Sequence, residues 1–205
     1  MSGSAADDED RCKILLRGER MIFYFSATGN SKHAAETLAK ALDEKICSIT
    51  DYDKDIYFLS EHECLGIVIP TYFWELPSVT RDFLKRVSFE RNDDTYVFGV
   101  CTYGTTPGAS GAEIENLLNK NGIHTDALFG VQMPDTWTVF YDLSDYEKVA
   151  SQNARAEEQL KQVVSYVMNR KTGNHLRRRL PYFVKHISNI TYESMRQTKN
   201  LHVED

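Results

Sequence analysis

The 205 residues leave room for one well-buried domain and too little for two ordinary enzymatic ones. The chain is 41% hydrophobic and 26% charged, the balance of a globular protein, and no apolar run approaches the roughly 18 residues of a membrane span. Its net charge of −6 hides an asymmetry: residues 170–199 carry eight Lys/Arg and one acid, so the rest is strongly acidic, which argues against nucleic acid as the principal ligand.

Residues 1–20 open with small and acidic side chains, lack the basic-then-apolar order of a secretory signal, and read as a disordered tail. The first strand, Met21 to Phe25, runs without a break into the hydroxyl-rich turn Ser26-Ala27-Thr28-Gly29-Asn30-Ser31 and then a helix. A helix starting there offers unpaired backbone N–H groups and the positive end of its dipole, while Ser26, Thr28, Asn30 and Ser31 add short donors around one anion. With no Lys or Arg in the turn, and neither Gly-x-x-x-x-Gly-Lys-Ser/Thr nor G-x-G-x-x-G present, the ligand expected is a phosphate monoester held by neutral groups. A plain helix cap is the simpler reading, but the turn supplies more donors than a cap uses.

The helix from Asn30 to Asp43 puts Ala34, Ala35, Leu38, Ala39 and Leu42 on one face. Further strands are expected at Ile46–Ile49, Leu65–Ile69, Tyr96–Cys101 and Ala127–Gln132, short and nearly continuous in apolar character, as strands buried on both faces are. Helices are expected over Val79–Val87 and over Gly111–Asn121, which Gly122 closes. A long helix opens at the capping box Ser144-x-x-Glu147, carries Val149, Asn153, Ala156, Leu160, Val163, Val164 and Val167 on one stripe, and ends at Gly173. Residues 174–205 read as a basic helical extension of the domain spanning 21–173. The alternation implies a parallel sheet with helices on both faces. Cys12, Cys47, Cys64 and Cys101 lack the spacing of a zinc site or a disulfide framework, which suits a reducing cytoplasm.

In such sheets ligands bind beyond the C-terminal strand ends, where strand order reverses. Three loops leave the predicted sheet there: the phosphate turn; Pro70-Thr71-Tyr72-Phe73-Trp74-Glu75-Leu76-Pro77; and Thr102-Tyr103-Gly104-Thr105-Thr106-Pro107-Gly108. Donors at one loop and aromatics at two suit a ligand with an anionic tail and a flat ring. The aromatic run also reads as a hydrophobic lid or partner surface. No arginine follows Cys101 at a phosphatase spacing, Ser110 is not in a G-x-S-x-G elbow, and no H-E-x-x-H pattern occurs, so no catalytic residue and no metal ligand is assigned.

The turn Ser26–Ser31 resembles the Ser/Thr-x-Thr-Gly-x-Ser/Thr loop with which flavodoxins hold the phosphate of FMN. Together with Pro70 to Pro77, Thr102-Tyr103-Gly104, Pro107-Gly108 and Met133-Pro134-Asp135, the chain from Met21 to Asp205 is similar to the flavodoxin domain of flavodoxin–ferredoxin fusion proteins, whose two C-x-x-C-x-x-C-x-x-x-C-P cluster motifs it lacks. The resemblance implies a flavodoxin-like α/β three-layer fold with a five-stranded parallel sheet, order 2-1-3-4-5. It also implies noncovalent FMN at Ser26, Ala27, Thr28, Gly29, Asn30, Ser31, Pro70, Thr71, Tyr72, Phe73, Trp74, Thr102, Tyr103, Gly104 and Gly108. In that picture Tyr72, Trp74 and Tyr103 flank the ring and the Gly104 backbone meets its polar rim. The expected function is low-potential electron transfer with a protein partner such as ferredoxin, which the basic segment from Leu176 to Arg196 would attract. An FMN-dependent NAD(P)H reductase of quinones or other small acceptors, and a non-redox interaction module, are the alternatives.

Overall fold

The computed structural model describes residues 21–58, 64–90, 94–136 and 143–176. The expected acidic tail and nearly all of the basic extension lie outside the described residues. Eight strands are described: β1 (Met21–Tyr24), β2 (Lys45–Ser48), β3 (Ile56–Phe58), β4 (Cys64–Pro70), β5 (Ser88–Glu90), β6 (Tyr96–Tyr103), β7 (Ala127–Gln132) and β8 (Gly173–Asn174). The helices are α1 (Asn30–Leu42), α2 (Ser78–Arg86), α3 (Ser110–Lys120) and α4 (Tyr146–Met168). Among the described residues no helix is long and apolar enough to cross a membrane.

The main sheet runs β2-β1-β4-β6-β7-β8 with every pairing parallel. Its first five members keep the expected 2-1-3-4-5 order, and β8 makes it six-stranded rather than five. The polar pair Gly173–Asn174 has no apolar run to betray a strand. It is held by register with Ala127 and Leu128, by the Gly173 N–H bond to Asp126 O and by the His175 N–H bond to Leu128 O, at 2.8 and 2.7 Å.

Strand alternation divides the core between the two faces. Met21 and Phe23 of β1 pack with Phe83 and Leu84 of α2 and Ile114 and Leu118 of α3. Ile22 faces the other way, with Ala34, Ala35 and Leu38 of α1 and Ala156, Leu160, Val163 and Val167 of α4. The predicted apolar stripes of α1 and α4 are thus the faces laid on the sheet, although Asn153 in the α4 stripe is exposed. Two boundaries differ. Asp145, not Ser144, caps α4, its carboxylate accepting the Lys148 N–H at 3.0 Å. The helix stops at Met168, four residues ahead of the stretch Thr172–Gly173, because Arg170 turns into the left-handed region at φ 46°.

The folded unit extends beyond residue 173. Leu176 is buried and its side chain lies against the Cα positions of Gly111 and Gly130. A separate two-stranded parallel sheet, β3 with β5, was not foreseen, since three-residue strands fall below the length at which alternation is readable.

Cys64 and Cys101 carry thiols. Cys101 is fully buried, and burial together with the Glu113 carboxylate pushes its pKa up to about 12. Because the thiolate is the reactive form, iodoacetamide at pH 8 is expected to label half-buried Cys64 well before Cys101 in the native protein. Peptide mass spectrometry over a time course checks this; equal rates would contradict it.

Candidate functional site

The order β2-β1-β4 places the reversal of strand order between β1 and β4. The crevice therefore opens where the chain leaves Tyr24 and Pro70. The β1 exit is the cradle. Gly29 sits at the N-cap of α1 with φ 96°, a left-handed conformation that favours glycine, and no side chain caps the helix. The first helical bond is His33 N–H to Gly29 O at 2.9 Å, so the N–H groups of Asn30, Ser31 and Lys32 are not claimed by the helix.

The cradle's side chains are tied down in a way that keeps donors available. Ser26 Oγ accepts the Gly29 N–H at 3.0 Å, and Thr28 Oγ1 accepts from Thr136 Oγ1 at 3.2 Å. Each hydroxyl thus retains its own hydrogen for an anion. Asn30 spends one amide hydrogen on Pro134 O at 3.0 Å. Ser31 differs: it is buried and shares a 2.8 Å hydrogen bond with Thr102 Oγ1 beneath the turn, so this pair supports the cradle from below. Ala27, Thr28 and Gly29 form the exposed lip.

The β4 exit forms the second wall. Tyr72 and Glu75 bond reciprocally, N–H to O at 2.9 Å and 3.0 Å, around Phe73 and Trp74, which have φ 48° and 66°. Two consecutive positive φ values make this a mirror-image tight turn, the form that favours Asn-Gly. Two aromatic residues hold it instead, at a cost of about 1–3 kcal/mol each. The surroundings supply the constraint: Trp74 O accepts the Ala109 N–H at 2.7 Å, and Gly108, at φ 54°, lies directly under the Trp74 backbone.

Tyr72 and Trp74 are 40% and 41% exposed, two large aromatics left open at the crevice. Tyr72 reaches the cradle: its ring meets Phe25 edge-on with centroids 6.4 Å apart, and its hydroxyl lies beside the Ala27 backbone. Partial burial raises the Tyr72 pKa, and the Ala27 contact offsets part of that rise. Pro70 ends β4, and Thr71 is anchored by its N–H to Thr102 O at 2.8 Å while its Oγ1 is buried without a hydrogen-bond partner.

Tyr103 lies elsewhere. β6 continues to residue 103, beyond the expected end at Cys101, and carries the ring into the sheet layer, where it is 8% exposed and packs over Gly130, so that a Cβ added there would lie 3.0 Å from it. Tyr72 and Trp74 are thus the open aromatic surfaces of the three. Gly104 lies at the mouth with its carbonyl accepting Gln132 Nε2 at 2.7 Å, and the Asp135 carboxylate lies against its Cα.

A fourth wall runs from Met133 to Thr136; its first three residues, Met133-Pro134-Asp135, belong to the sequence motif but were not assigned to the site. Pro134 and Thr136 bond the cradle as described, and Met133 N–H reaches Tyr103 O at 2.9 Å. Its position after β7, at the same end of the sheet as the other three loops, is the signal that identifies it.

A doubly wound parallel α/β sheet with an uncapped hydroxyl-rich turn at its switch point defines a phosphate-and-ring binding protein. A family model described as "Flavodoxin domain" matches residues 21–162, and the chain belongs to that family. No curated protein matches by sequence. Among solved structures, a Streptococcus pneumoniae TIGR4 flavodoxin is 17% identical, with 70% of this chain and 98% of that one covered at a TM-score of 0.43. The two-electron reduced Megasphaera elsdenii flavodoxin is 16% identical, with 69% and 98% covered at 0.42. An NAD(P)H:quinone oxidoreductase from Methanothermobacter marburgensis is 12% identical, with 80% and 100% covered at 0.45.

Family membership implies FMN, and the residues fit it. The uncapped α1 terminus and the Ser26 and Thr28 hydroxyls suit its phosphate, Tyr72 and Trp74 suit its ring, and Thr71 Oγ1 is a buried polar atom still lacking a partner. Bound there, FMN would supply reversible electron and hydride chemistry.

Proposed function

We propose that this chain is an FMN-binding, low-potential electron-transfer protein that exchanges electrons with a protein partner such as ferredoxin, in the cytoplasm. The observation carrying the reading is the meeting, at the switch point, of a neutral phosphate cradle with two exposed aromatic side chains. The residues bind and orient: Ser26, Thr28 and the backbone of the turn hold the phosphate, while Tyr72 and Trp74 remove ring surface from water. An acidic body and electron-rich rings disfavour added negative charge on the ligand, which is the basis for a low potential. The basic run after Leu176 is the feature proposed to draw an acidic redox partner.

Apoprotein titrated with FMN, followed by flavin fluorescence, tests this. Quenching is expected, and Ser26→Ala/Thr28→Ala is expected to weaken FMN binding by about 10–100-fold, the worth of one or two hydrogen bonds to a charged group. Riboflavin, which lacks the phosphate, should be little affected by the same substitutions. Turnover of NAD(P)H with a quinone would favour the reductase alternative, and failure to bind any flavin would leave an interaction module.

A further inference from the structure

The aromatic turn and α3, the helix that follows the glycine loop, come from different strand exits, yet one side chain, Arg81, binds both. Glu75, the last residue of the turn, is buried, and its Oε2 accepts from an Arg81 terminal guanidinium nitrogen at 2.9 Å. The same nitrogen donates to Leu76 O at 2.6 Å. On its other side the guanidinium Nε lies 3.2 Å from Glu113 Oε2, a charge contact whose N–H is not aligned along it. Glu113 is buried in the first turn of α3, the helix that follows Gly108 and Ala109, and its N–H bonds Ala109 O at 3.0 Å. Ala109 in turn donates to Trp74 O.

We propose that Arg81 is a positioning residue: by holding Glu75 of the aromatic turn and Glu113 of α3 together, it locks the two loops into one rigid wall against the flavin ring. The inference rests on the flavin reading above. Two buried carboxylates need a cation between them, and a planar guanidinium reaches both and a carbonyl at once, whereas a lysine ammonium concentrates its charge at one point. The clamp also explains how Phe73 and Trp74 stay in left-handed backbone: Glu75 fixes one end of the turn, and the Trp74 O to Ala109 bond fixes its middle. A released turn would relax, and the Trp74 face would no longer be set before the ligand arrives.

The test is titration of folded Arg81→Lys, Arg81→Met and Glu113→Gln apoproteins with FMN and with riboflavin, at temperatures below each variant's melting transition. Arg81→Met is expected to weaken both flavins in parallel by about tenfold, Glu113→Gln by about threefold, with Arg81→Lys between Met and wild type. The ratio of FMN to riboflavin affinity stays at the wild-type value because the phosphate cradle is untouched. That unchanged ratio separates ring positioning from general loosening, and the nearly isosteric Glu113→Gln keeps the test alive if Arg81→Met fails to fold. Affinities within about twofold of wild type in Glu113→Gln and Arg81→Lys, or a changed ratio, would overturn the inference alone. A wild-type protein that binds neither flavin would overturn the functional reading and the inference with it.

Discussion

Gly108→Ala is expected to lower the unfolding free energy by about 2–4 kcal/mol and to raise the FMN dissociation constant by at least about tenfold. Two costs combine. At φ 54° an L side chain pays about 1–2 kcal/mol for the left-handed region. The added Cβ would also meet Trp74, colliding with its O and Cβ and lying 2.5 Å from its Cα. A flexible side chain could swing away; a backbone in a tight turn cannot, so the turn must shift and the 2.7 Å Ala109 N–H to Trp74 O bond must lengthen. Gly122→Ala is the control. Gly122 has φ 75° and open space around its Cα, so it carries the conformational cost without the collision. Urea unfolding of both variants isolates the collision as a difference, and FMN titration reads its effect on the ring site. If Gly108→Ala bound FMN as tightly as Gly122→Ala, the glycine loop and the aromatic turn would not be the coupled wall described above.

Much of the frame was legible because its signals are strong and local. Ile22, Leu65, Ile67 and Val100 sit in continuous apolar runs, and Ala34, Leu38, Leu160 and Val163 recur at helical spacing, so five strands, four helices and their alternation follow from the residues alone. The cradle was legible for the same reason: its composition is contiguous. The roles within it were not. Ser31 looked like one more donor, but its bond to Thr102 needs residues 71 positions apart to meet, which no local pattern encodes. Tyr103 looked like Tyr72; two further residues of β6 decided that its ring entered the sheet layer. The Glu75–Arg81–Glu113 set escaped notice because isolated charges at those spacings usually mark a solvated face. Burial, a property of the assembled layers, changes their meaning.

Phe23→Ala is the substitution expected to cost most stability, about 3–5 kcal/mol. Its ring is fully buried and meets Tyr52 and Tyr57 at 5.1 Å, Phe83 at 5.2 Å and Phe89 at 6.0 Å between centroids. Tyr57 and Phe89 are the inward residues of β3 and β5, flanked on their own strands by exposed neighbours. That two-stranded sheet is too small to hold by pairing alone, so Phe23 is much of what fastens it to the body. At about 2–4 °C per kcal/mol for a chain of this size, the melting temperature should fall by about 10 °C or more. Hydrogen exchange should rise first at Ile56–Phe58 and Ser88–Glu90. Phe23→Leu, which keeps most of the volume but no ring, should lose about 1–1.5 kcal/mol. FMN affinity of Phe23→Ala well below its transition should stay within about threefold of wild type, because the side chain faces α2 and α3 while the cradle opens onto α1. Uniform loss of exchange protection, with β3 and β5 no more affected than α4, would show that the small sheet is fastened by contacts other than this aromatic cluster.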